Sequence, residues 1–224
     1  MTKFFTLILC CFLSAGAFCK DVDQETIDED NPKYSIKIVY PQNFTPAINT
    51  AVTTFVTDQK NSFLSTAGKA TDLPADAPGK DGLDITYKVV FQNDKVISLL
   101  FDLSIYDRGA AHPRNSQVSW NFINDIEVKL DNIFVPGNDY MSFLAHYCSA
   151  EFLKKDISEK NWIMEGTAPK PENYKIWHFS KKGLVIVFDT YQVAAYVFGP
   201  QPIEIPRSVI SKYLQPDVVK AVWG

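Results

Sequence analysis

Apolar and polar positions change period several times along the chain, and each change predicts an element. Tyr34, Ile36, Ile38 and Tyr40 alternate with Ser35, Lys37 and Val39, which predicts a half-buried strand stopped by Pro41. From Pro46 the spacing becomes three and four: Ile48, Val52, Phe55, Val56 and Phe63 share one face of a helix. Residues 67–82 (AGKATDLPADAPGKDG) break the pattern and read as a long loop, a candidate contact segment or a mobile insertion. Two strands, Leu83 to Gln92 and Lys95 to Asp107, follow around Asn93-Asp94, whose short side chains suit a tight turn. A second pair, Gln117 to Ile123 and Ile126 to Leu130, hinges at Asn124-Asp125.

A helix is predicted from about Asp139 to Lys155, with Met141, Leu144, Ala145, Cys148 and Phe152 as its apolar stripe. Residues 157–173 read as irregular. Tyr174 to Ser180 and Leu184 to Phe188 form a hairpin around Lys181-Lys182-Gly183, and Asp189 to Gly199 is a partly extended connector. Ile203 to Ile205 is a short strand, and Pro206 opens a closing helix that buries Val209, Ile210, Tyr213 and Leu214. Hairpins outnumber single strand–helix alternations. The prediction is an α+β fold, a mostly antiparallel sheet packed against two or three helices, forming one domain over 34–224 or two subdomains meeting near 157–173.

The N-terminus follows a different logic. Lys3, the apolar run Phe4 to Leu13 and Ser14-Ala15-Gly16-Ala17 predict a signal peptide over residues 1–17, which directs the chain to a periplasmic or secreted location. The run is shorter than the roughly 20 apolar residues of a spanning helix, so stable membrane insertion after cleavage is not expected. Lipidation at Cys19 is the alternative, but the bulky Phe18 stands where a lipobox has a small residue. Residues 18–33 include DVDQETIDED, six acids without a base, and read as a disordered acidic leader. Cys19 and Cys148 would be the cysteines left to pair, against the simpler reading of Cys148 as a buried thiol.

Composition narrows the function classes. With 224 residues, 46% apolar and 13% aromatic, the chain is long and apolar enough for a sizeable core. Lys and Arg total 22 against 26 Asp and Glu, a formal charge of −4 without a basic stripe, so nucleic acid is not an expected partner. Recognised nucleophile, zinc, dinucleotide and phosphate-loop motifs are missing, so neither a cofactor nor a metal is expected and a catalytic role is not favoured. Of the three histidines, His146 reads as a surface residue and His178 as a partly buried, satisfied one. His112 stands in the small-residue turn Arg108-Gly109-Ala110-Ala111-His112-Pro113, where it serves a site or fixes the turn. Asn43-Phe44-Thr45 matches the glycosylation sequon.

Three stretches together carry a resemblance. Tyr34 to Pro41 is followed by the Ile48-Asn49 helix. Val96 to Phe101 leads through Tyr106 to Gly109-Ala110-Ala111-His112-Pro113. Gly183 to Phe188 leads to Tyr191-Gln192-Val193-Ala194, Gly199-Pro200 and Ile203 to Pro206. Their order over about residues 34–215 resembles the extracytoplasmic domain of the RsiV anti-sigma factor family. It is also similar to the non-catalytic region of a bacillar peptidoglycan deacetylase and to a secreted mycobacterial immunogenic protein. Arg108 stands where the family pattern has glycine, and Thr190 where it has proline. The resemblance implies an α+β domain that binds without catalysing. Its expected ligand is lysozyme or another cell-wall hydrolase, or peptidoglycan itself. Arg108, His112, Trp162 and Tyr191 are the candidate binding residues. An envelope hydrolase using His112 and a secreted factor that binds a host protein are the competing readings.

Overall fold

A computed structural model describes residues 23–69 and 78–224. The expected signal peptide, Cys19 and the middle of the 67–82 loop lie outside the described residues. Among the described residues nine strands form two open sheets, six-stranded and three-stranded, with five α-helices. The first sheet runs in chain order: β1 (Gln24–Asp30), β2 (Tyr34–Pro41), β3 (Asp81–Gln92), β4 (Val96–Tyr106), β5 (Arg114–Ile123) and β6 (Ile126–Glu127). All pairs are antiparallel except β2 with β3, whose parallel pairing is made by the crossover of α1 (Pro46–Leu64). Ile48, Val52, Val56 and Phe63 of α1 are buried on Ile36, Ile38, Leu83, Ile85, Leu99, Phe101, Leu103 and Phe122 of that sheet. The three- and four-residue spacing of one element therefore packs on the two-residue spacing of the other.

The second layer begins with a short 3-10 turn at Leu130–Ile133, then α2 (Tyr140–Lys155), α3 (Lys160–Gly166) and another 3-10 turn at Pro171–Tyr174. Its sheet is β7 (Ile176–Phe179), β8 (Gly183–Phe188) and β9 (Gln201–Pro206), antiparallel throughout. Every residue of β8 is buried. Helices α4 (Arg207–Ile210) and α5 (Pro216–Trp223) close the chain. Leu144, Cys148, Phe152, Phe179, Leu184, Ile186, Phe188, Ile205 and Ile210 form the centre of this layer's core.

The layers meet edge on face. β7 offers the backbone groups of Trp177 and Phe179 at its unpaired edge, and polar side chains of the first sheet take them. Trp177 N–H donates to Ser119 Oγ at 2.8 Å, Asn121 Nδ2 donates to the Trp177 carbonyl at 2.8 Å, and Phe179 N–H donates to Ser98 Oγ at 3.3 Å. An open sheet edge is thus closed by side chains instead of a further strand. Leu100, Ile176, Val185 and Val187 fill the space beside these bonds.

Four expectations need correction. Residues 24–30 were expected within an acidic coil but form β1, paired along its length with β2. The ladder satisfies its backbone, Ile27 packs on the core, and Lys60 and Lys80 form ion pairs with Glu29 and Asp30. The irregular stretch 157–173 contains α3 and a 3-10 turn, too short for a period to emerge from the sequence. The single closing helix from Pro206 is two helices. Phe134 pairs with Leu214 as an isolated bridge, and Val135 N–H and Gln215 N–H bond the carbonyls of Tyr213 and Ile133, which interrupts the helix at 211–215. The second hairpin arm was expected to reach Leu130 but ends at Glu127, where the chain bends into the 3-10 turn.

Candidate functional site

The connector after β8 is folded by its own side chains. Asp189 Oδ1 accepts from Thr190 N–H at 2.8 Å, Gln192 Oε1 accepts from Asp189 N–H at 3.0 Å, and Gln192 N–H donates to the Asp189 carbonyl at 2.9 Å. These bonds hold Tyr191 at φ +69°, the left-handed region that a bulky residue rarely enters. Gln192 also ties the turn to its neighbours, its Nε2 donating to the carbonyls of Gly166 at 3.0 Å and Asn173 at 2.9 Å. Gly166 is required there, because a Cβ would lie 2.1 Å from the Gln192 carbonyl oxygen. Val193 and Ala194 are buried beneath. The loop is therefore a fixed platform, and Tyr191 stands on it 51% exposed.

Three of the four candidate residues meet on this platform. Trp162, on α3, donates its indole N–H to the Tyr191 carbonyl at 3.0 Å. His112 approaches from the turn after β4, with the Tyr191 hydroxyl 3.5 Å from its Nε2 and its Nδ1 2.9 Å from the Pro113 carbonyl. Its ring stacks on Tyr196, centroids 4.0 Å apart, and Tyr196 lies 5.6 Å from Tyr191. The Tyr196 hydroxyl donates to the Pro113 carbonyl at 3.0 Å and accepts from Asn115 Nδ2 at 2.9 Å. The backbone N–H of Arg108 donates to Asp81 Oδ1 at 2.7 Å.

Tyr196 belongs to this group, although neither it nor Val197 and Phe198 stood out in the sequence as site residues. Val197 is 85% and Phe198 45% exposed on the same 3-10 turn. The clue was present as Tyr196-Val197-Phe198, a large apolar triplet inside a segment with connector chemistry. The result is an aromatic face, half open to solvent, carried by segments that side-chain hydrogen bonds lock in place. Such rigid aromatic surfaces lose little conformational entropy on contact.

Chemically, the face suits contact. Among the described residues no carboxylate bonds the His112 ring, and no group of three His, Cys, Asp or Glu side chains is placed to hold a metal. The remaining titratable candidates have structural settings. His178 is held below the ordinary histidine value by burial, its Nδ1 2.9 Å from the Phe179 carbonyl. His146 is exposed on α2. The Cys148 thiol lies in the core, and burial pushes it up to about 12, far from the range of a reactive thiolate. Asp189 is pushed up by burial, while backbone N–H groups of Thr190 and Gln117 pull the other way. No helix among the described residues is long and apolar enough to cross a membrane.

Residues 131–208 match a family described as "Protein of unknown function (DUF3298)". This segment contains α2, α3, the three-stranded sheet and the Tyr191–Tyr196 platform. The chain is 27% identical over 200 residues to the peptidoglycan-N-acetylmuramic acid deacetylase PdaC of Bacillus subtilis (strain 168), covering 87% of this chain and 42% of that protein. It therefore spans less than half the length of that relative. Two solved structures share the fold. A DUF3298 family member from Bacteroides fragilis superposes with a TM-score of 0.58 at 18% identity, over 88% of this chain and 95% of the other. One from Pseudomonas aeruginosa PAO1 gives 0.57 at 15% identity, over 88% and 96%. The match over 131–208 includes Trp162, Tyr191 and Tyr196 of the aromatic group but not His112, and the two solved structures share the fold.

Proposed function

We propose that the protein is an exported, non-catalytic binding protein of the bacterial envelope, periplasmic or secreted, whose ligand is a cell-wall hydrolase of the lysozyme class. The observation that carries this reading is the rigid aromatic face of His112, Trp162, Tyr191 and Tyr196, with Phe198 exposed on the same 3-10 turn as Tyr196. Exposed aromatic anchors on a preformed scaffold dominate protein–protein contacts, and this one has no evident structural use for its exposed area. The formal charge of −4 favours a basic partner through steering. The resemblance to the RsiV extracytoplasmic domain supplies the same ligand class.

The similarity to a peptidoglycan-N-acetylmuramic acid deacetylase of Bacillus subtilis favours a second reading, in which peptidoglycan is the ligand. Calorimetric titration with a basic c-type lysozyme at two salt concentrations separates the two. The protein-ligand reading expects a dissociation constant of about 1 µM or tighter, equivalent to roughly 8 kcal/mol, weakening with salt. Absence of heat at several temperatures, confirmed by a second method, rejects it.

A further inference from the structure

Between Thr190 and Ile203 no residue carries a charge, in a chain where 21% of residues do. Val197 and Phe198 project from this stretch, exposed on the 3-10 turn Tyr196–Phe198. Beside the turn a groove of about 540 Å³ lies where α2 passes into α3, with Leu153, Ile157, Trp162, Ile163 and Ala195 as its apolar lining. The Phe198 N–H bonds the Ala195 carbonyl at 3.0 Å, and the three-residue turn brings Phe198 round to the side that Ala195 occupies. The edge of the groove thus continues into an apolar tip.

Tip and groove are both apolar, one projects and the other recedes, and they adjoin on a single surface. A twofold axis between two copies therefore sets each tip into the opposite groove, so that every contact is made twice. The uncharged stretch argues for a second copy over a foreign protein. It offers a basic partner no acid and an acidic partner no base, so charge selects neither. Two copies with a formal charge of −4 each meet there without like charges face to face, because the groove of one receives an uncharged tip. Asp156, Glu159 and Lys160 stand exposed at the groove mouth and supply the polar rim of such a contact.

We propose that the protein forms a reciprocal dimer in which Phe198 of each copy is seated against Leu153 and Trp162 of the other. Leu153, Trp162, Val197 and Phe198 expose roughly 400 Å² of side-chain surface per chain, so with its rim the contact reaches the roughly 1,200 Å² of the smallest specific interfaces. A dimer of that size is weak, with a dissociation constant between about 1 and 100 µM. Trp162 also belongs to the aromatic face, so on the ligand reading given above a bound hydrolase displaces the second copy. The dimer itself does not rest on that reading.

The test is sedimentation velocity of the protein between about 1 and 500 µM. Expected is a shift from monomer to dimer that stops at two chains and persists in about 0.5 M salt, because the contact is apolar. Phe198→Glu puts a charge on the tip, and Leu153→Arg obstructs the groove. Each is expected to weaken the dimer about tenfold or more while unfolding at the parent's urea midpoint, since both side chains are exposed. An equimolar mixture of the two variants is expected to regain dimers, because one pairing then joins an intact tip to an intact groove. Monomer at every concentration, growth beyond two chains, dissociation by salt, or a dimer that both variants retain overturns the proposal. A mixture that stays monomeric overturns it as well. No ligand is present in these runs, so their failure is distinct from failure of the lysozyme titration.

Discussion

Asn121 joins the two layers through one amide, and its replacement measures that junction. Asn121→Ala leaves the Trp177 carbonyl buried without a donor, so an equilibrium urea experiment is expected to show a loss of about 2 kcal/mol. A loss under about 0.5 kcal/mol would mean that water replaces the amide. His178 makes a pH-dependent contribution. Burial lowers its folded-state value, so the unfolded chain binds the proton more readily. Stability is then full above the ordinary value of about 6.5 and falls as pH drops through it toward the lowered folded value. Urea midpoints between pH 7.5 and 5.5 are expected to decline in the parent and to flatten in His178→Gln. The partly buried, satisfied setting of His178 was legible from its strand among aromatics, but the role of Asn121 was not. A strand asparagine looks the same whether it faces water or a neighbouring sheet, and only the layer packing decides.

At the scale of elements, the long periodic segments were legible and the short ones were not. β2, β3, β4, β8, α1 and α2 repeat their spacing often enough for the buried face to be read. The seven residues of α3 and the eight of α5 give barely two turns each, and β1 hides a strand under acids that its edge position tolerates. The same limit applies to the site. His112, Trp162 and Tyr191 were visible as residue types in loops, but Tyr196 could not be grouped with them until the turn at 189–192 brought the chain back to the His112 loop. α3 and that turn form one unit through Gln192 and Gly166. Gly166→Ala places a Cβ against the Gln192 carbonyl, so one element must move. The expected result is destabilisation of about 2 kcal/mol or more with a shift in Trp162 fluorescence, since the indole loses its fixed partner at Tyr191. Wild-type stability with unchanged fluorescence would show that the platform is pliable.

At the scale of the whole molecule, the two layers should behave as one folding unit. The buried bonds from Ser98, Ser119 and Asn121 and the apolar group of Leu100, Ile176, Val185 and Val187 couple them. A single urea transition by fluorescence and circular dichroism is the expected outcome, and two separated transitions would show that the layers are independent. α5 adds a clasp. Val218 and Val222 are buried, Trp223 donates to the Ser180 carbonyl at 2.8 Å, and Asn93 Nδ2 donates to the carbonyls of Ala221 at 2.9 Å and Val222 at 3.1 Å. Rigid coupling of this kind is what a contact face needs, because a platform already ordered before binding gives up less entropy on contact.

The most direct measurement of the central claim is calorimetry of lysozyme binding to the parent protein and to Tyr191→Ala and Phe198→Ala, each first shown to unfold at the parent's urea midpoint. The account predicts measurable binding by the parent and a loss of about 2 kcal/mol, roughly thirtyfold, in at least one of the two variants. Binding by the parent that both folded variants retain in full would place the contact elsewhere and contradict the assignment of this face.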